Sequence, residues 1–296
     1  MTGSEFFEKI KFMKWQEREQ EVLNAFIRGD VPGWISSAPW HPVHITGTVD
    51  GTKHDLIIQV APDYWSVGTS EDFLRMPARP TTYQQIAAAI GAILPSRKLV
   101  NEIWAAADAK VEPSPITGGG DVADSHLYAD INNKINSQLK ALGRSPANSL
   151  VAGDKKDVVI GPNMDGSKVA IYGWHRLTDK QPWQSYPGPH DVAHVDYSHG
   201  GRMVARTALL NAVPVDLAAV FVHPTLHVLV SDQGPFLPFF PNVGSGVKSF
   251  ATVNELPKDV LPEAALKGAV EGWGVKEWLL AMTVVGVGAW TFMKKD

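Results

Sequence analysis

The chain contains no cysteine. That excludes disulfides, a thiolate nucleophile and cysteine-ligated zinc. It also lacks an excess of positive charge. The formal net charge is −4, and no basic stripe is present to neutralise phosphates, so nucleic acid is not an expected partner. The opening stretch MTGSEFFEKIKFMKWQEREQ holds no apolar h-region and does not read as a secretory signal. There is no internal repeat and no heptad array.

What is present suits a globular chain. With 296 residues, 44% hydrophobic and 20% charged, it is long enough to bury a substantial core. Ten tryptophans are many, and Trp34, Trp40, Trp174 and Trp183 lie beside Pro, Gly or His. Core filling is their expected role, with sugar stacking the alternative.

Elements follow from periodicity. Residues 4–28 carry apolar positions at helical spacing and stop at Gly29. Two strand-like runs flank Asp50-Gly51, a hairpin signal. Helices are expected over 82–93, 96–107 and 125–142. From Val151 the pattern turns to strands, in KKDVVIGP, KVAIYGWHRL and AHVDYSHGGRMVA, and Val215 to Phe221 reads as a short helix. The expected class is α+β: N-terminal helices and a β hairpin, a mainly antiparallel sheet in the C-terminal half, and a hydrophobic C-terminal helix. The expected organisation is an amphipathic helix over residues 1–30, a core domain over 31–255 and a linker with the hydrophobic helix over 256–296. The run Trp278 to Met293 has no charged residue, carries Trp near both edges and ends in Lys294 and Lys295. Residues 273–296 therefore read as a membrane anchor or as a contact with a partner subunit.

The stretch HVDYSHGGRM, His194 to Met203, concentrates chemistry-bearing side chains. If His194 to Ser198 is extended, then His194, Asp196 and Ser198 share a face, which is expected to converge with His175 on one cleft. Three readings are open. His175 and His199 could be general acid and base, with Asp196 orienting an imidazole and Arg202 or a glycine N–H stabilising an oxyanion. His194, Asp196 and His199, joined by His175 or His190, could bind zinc. Or the residues form a structural hydrogen-bond network. His199 beside Gly200 and Gly201 is the leading base, on a cleft and only partly buried. Ser198 is a further candidate nucleophile if a histidine activates it, although DYSHG is not a nucleophile elbow.

Other polar clusters have plainer readings. Lys155, Lys156 and Asp157 read as a solvated hairpin end, and Asp63, Glu71 and Asp72 as a loop where a carboxylate pair could act. TGGGD, Thr117 to Asp121, is a linker, since it lacks the Lys of a phosphate loop. Pro224 between His223 and His227 argues against a helical ligand pair.

The run YSHGGRM, Tyr197 to Met203, resembles the catalytic signature of L,D-transpeptidases, and IYGWH ending at His175 resembles the strand that supplies their second histidine. The resemblance implies a sheet-rich fold and a peptidoglycan substrate. Gly201 stands where that family has its cysteine, so transpeptidation through a thioester is excluded. Residues 55 to 235 are also similar to a group of uncharacterised bacterial proteins. The expected function is a cell-envelope hydrolase, acting on peptidoglycan through a His/Asp-centred site, membrane-associated or part of a virion or envelope assembly. The alternative is a non-catalytic structural or binding protein of a phage or envelope assembly.

Overall fold

A computed structural model describes residues 1–239, apart from residues 38, 117–123, 163, 165 and 186–189. The C-terminal tract 273–296 and the glycine run 117–121 lie outside the described residues. Helices and antiparallel sheets are both present, so the class is mixed α+β. Among the described residues no helix is long and apolar enough to cross a membrane.

The hairpin His41–Val49 and Thr52–Val60 organises the larger sheet. Asp50 and Gly51 both take positive φ, 49° and 78°, as a tight two-residue turn requires. The register sets Val43 against Ile58 and Ile45 against Leu56, so one face of the hairpin is apolar and buried. Thr52–Val60 then pairs antiparallel with Val204–Ala205 and Thr207–Leu210. The sheet therefore joins the two halves of the chain and is not confined to the C-terminal one.

The N-terminal helix expected over 4–28 is two helices, Gly3–Ile10 and Trp15–Arg28. Thr2 caps the first, accepting from the Glu5 N–H. The Lys14 N–H donates to Glu17 and starts the second, so each helix has its own N-terminal signal. Phe6, Ile10, Val22 and Phe26 belong to the same apolar core as Ile58, Leu99 and Ile171.

A smaller sheet positions the site. Its order is Pro182–Gln184, Ile171–His175, Lys156–Val158, His199–Gly200. The last pair is parallel and the others antiparallel. Helix Arg97–Ala106 packs on Ile171–His175, and the Ser96 side chain caps that helix by accepting from the Leu99 N–H.

Candidate functional site

The three-residue strand Lys156–Val158 divides two polar clusters. Residues paired across a ladder project to the same face. His199 pairs with Lys156, while Tyr172 pairs with Asp157. His175 packs against Tyr172 with ring centroids 6.0 Å apart. His199 and His175 therefore lie on opposite faces of the small sheet. The positive φ of Gly173 and Trp174 interrupts alternation just before His175. Trp174 then faces Lys156, whose ammonium lies 4.9 Å from its ring.

The expected convergence of His175 with His194, Asp196 and Ser198 is thus corrected. His175 has its own surroundings: Nε2 lies 2.9 Å from the Asn101 Oδ1, and its ring stacks on Trp104 at 4.9 Å. Burial lowers its pKa to about 4. With Tyr64, Trp104, Asp157 and Arg202 it lines a small pocket.

His194, Asp196 and His199 do come together, but not as a strand. Residues 194–198 are irregular, and the strand is only His199–Gly200. A turn gathers the three side chains. The Ser198 N–H donates to Asp196 Oδ1 at 2.7 Å, and the Ser198 hydroxyl donates to the same oxygen. The His199 N–H donates to the Asp196 carbonyl at 3.2 Å. The other carboxylate oxygen, Oδ2, lies 3.7 Å from His194 Nε2 and 3.6 Å from His199 Nε2. Lys156 Nζ is 4.0 Å from it. His190 stacks on His194 with centroids 4.1 Å apart. Ser198 is buried and gives its proton to a carboxylate rather than to an imidazole, which corrects its reading as a histidine-activated nucleophile.

His199 is fully buried, where a partly exposed base was expected. Neither ring nitrogen has a hydrogen-bond partner. Burial lowers its pKa to about 4 against the opposing pull of Asp196, so the ring is neutral at pH 7. Burial also acts to raise Asp196. The His199 ring, the Lys156 ammonium and the two Ser198 hydrogen bonds outweigh it and hold the carboxyl below its ordinary range. A neutral imidazole therefore faces an ionised carboxylate. His194, its side chain 26% exposed, is the member nearest solvent.

Arg202 and the two glycines are closely packed in the interior. Arg202 is fully buried, donates to the Ala61 and Val151 carbonyls at 3.1 and 2.7 Å, and lies 4.0 Å from the Tyr64 ring. A Cβ on Gly200 would come within 2.4 Å of the Tyr64 ring, and one on Gly201 within 2.4 Å of the Tyr83 ring.

Sequence reasoning missed the second cluster. Lys155 and Asp157 are buried, not solvated. The Lys155 ammonium donates to the Tyr197 carbonyl at 2.5 Å, and the Tyr64 hydroxyl donates to Asp157 at 2.7 Å. Burial raises Asp157 to about 6 although Arg202 and Tyr64 oppose it. Asp63, read as a loop acid, is a buried partner of Arg75, with Nη2 to Oδ2 2.7 Å. Arg75 Nε also meets Asp154 at 3.2 Å. The signal was present in VVI after KKD: a continuous apolar run marks a strand covered on both faces, so the charges leading into it enter the interior too.

No family model matches the chain, and no curated protein or solved structure was found to be similar to it.

Proposed function

We propose that the protein is a hydrolase of a cell-envelope polymer, with peptidoglycan as substrate class, and that His194, Asp196 and His199 form its reacting centre. The observation that carries the reading is the neutral, buried His199 beside the ionised Asp196, with His194 opening toward solvent. A neutral imidazole near a carboxylate can take a proton from attacking water and return it to the leaving group. His194 is the member a substrate reaches, Asp196 places a carboxylate beside both rings, and Ser198 fixes that carboxylate. The substrate class is supported by the resemblance of Tyr197 to Met203 to the transpeptidase signature. Residues 273–296 would tether the enzyme to a membrane or to a partner subunit of an envelope or virion assembly. The test is release of soluble fragments from purified peptidoglycan sacculi by the full chain. His194→Ala and Asp196→Asn are expected to slow release by about 10²- to 10⁴-fold. Undiminished release by both would end the assignment.

One observation favours a second reading, a non-catalytic structural or binding protein of a phage or envelope assembly. The Tyr83 ring fills the space a side chain at Gly201 would occupy, which is the nucleophile's position in the resembled motif. Retention on sacculi without fragment release would favour it.

A further inference from the structure

Buried polar atoms are nearly always hydrogen-bonded. His199 breaks that rule at both ring nitrogens while fully buried. Its Nε2 lies 3.6 Å from Asp196 Oδ2, and His194 Nε2 lies 3.7 Å from the same oxygen. Those separations are too long for hydrogen bonds, which to an ionised carboxylate run about 2.7–2.9 Å. They are close to the roughly 3.3 Å between ligand atoms that share a tetrahedral ion with bonds of about 2.0–2.1 Å. One ligand atom from each of the three residues lies within 4.8 Å of the others.

We infer that His194, Asp196 and His199 form a site for a divalent transition metal, with zinc the ion it fits. Two imidazoles and a carboxylate favour zinc over magnesium or calcium, which take oxygen ligands. The surroundings suit the role. Ser198 occupies Asp196 Oδ1 with two hydrogen bonds and leaves Oδ2 for the ion. His190 stacks on His194 and sets its ring plane. The Lys156 ammonium, 4.0 Å from Oδ2, is a competing cation whose other seat is the Trp174 ring. Three protein ligands leave a fourth position for water or substrate on the side where His194 meets solvent. The inference stands on this geometry and does not depend on hydrolysis; a ring nitrogen that holds the ion cannot also take a proton, so with zinc bound the ion would activate water in place of the imidazole.

The experiment titrates zinc chloride into the metal-free full chain, reading binding by calorimetry and bound metal after dialysis. One zinc per chain is expected. His194→Phe keeps the stack on His190, should stay folded by circular dichroism, and is expected to bind at least about 100-fold more weakly. His194→Ala gives the same loss through a second side chain. His223→Ala, which removes a member of another closely spaced histidine pair, leaves binding unchanged. The site is overturned if the folded chain takes up no stoichiometric zinc. It is also overturned if both His194 variants bind as tightly as the parent, or if His223→Ala abolishes binding. Fragment release without bound zinc would remove the metal and keep the hydrolase. Bound zinc without release would do the reverse.

Discussion

Two buried polar clusters lie on either side of one short strand, and they are built on opposite terms. Around Arg75 and Arg202, guanidinium groups meet Asp63, Asp154, backbone carbonyls and the Tyr64 ring. Around His199, a fully buried imidazole has no hydrogen-bond partner and two neighbouring groups stop short of contact. The carboxylates of the first cluster face guanidinium groups at ion-pair distance, although the Asp154 oxygens and the Arg202 Nε make no hydrogen bond; the imidazole of the second faces a carboxylate beyond hydrogen-bond reach. Burial alone therefore does not distinguish the two clusters, whereas the arginine countercharge of the first does.

Removing a guanidinium from the first cluster should have the largest effect. Arg75→Met leaves Asp63 and Asp154 buried without their guanidinium and should cost about 3–5 kcal/mol in denaturant unfolding. A loss below 1 kcal/mol would show that the cluster is not the structural one. Gly201→Ala comes next, at about 1–3 kcal/mol. Tyr83 cannot yield readily, because its hydroxyl donates to the Met76 carbonyl at 2.7 Å and accepts from the Ala78 N–H at 3.0 Å. A stability equal to the parent's would remove the packing account of Gly201.

The third test uses pH, where the clusters have opposite signs. Asp157 is raised to about 6, so the folded chain holds a proton that the unfolded chain has released. Its contribution is present below the ordinary carboxylate pKa and is lost as pH rises through about 6. His199 is lowered to about 4, so the unfolded chain binds the extra proton and stability rises with pH between about 4 and 6.5. Asp157→Asn should therefore gain relative to the parent on going from pH 4 to pH 8, on the order of 2 kcal/mol. Melting curves of the two proteins at both pH values decide it, and an unchanged gap refutes the assignment. The smallest effect is expected for His194→Ala in the metal-free chain, under about 1 kcal/mol, since the ring is partly exposed. A loss of several kcal/mol would move His194 into the structural class.

The sequence made some of this visible and hid the rest for physical reasons. Asp50-Gly51 and Gly29 act locally, and each sits at the turn or stop its chemistry suggests. The α+β class followed from such signals. Alternation over 194–198 misled because Asp196 accepts from Ser198 and folds the segment into a turn, a local competition that periodicity does not register. His194, Asp196 and His199 were nonetheless grouped correctly, since a turn also brings near neighbours together. His175 was grouped wrongly because its side depends on the torsions of Gly173 and Trp174. The buried partnership of Asp63 with Arg75 joins residues twelve apart through tertiary packing, and no spacing rule encodes it.

Lys155, Lys156 and Asp157 reach three different destinations: the Tyr197 carbonyl, the Asp196 side and the Tyr64 hydroxyl. Inserting or deleting a single residue just before this segment would slide the strand by one place and exchange its sides. An ammonium would then be driven toward Arg202, and a carboxylate toward Asp196. The reading frame of this strand is accordingly intolerant of length change. The tip at Asp50-Gly51, where a Cβ on Gly51 would meet no atom within 4 Å, is open to insertion.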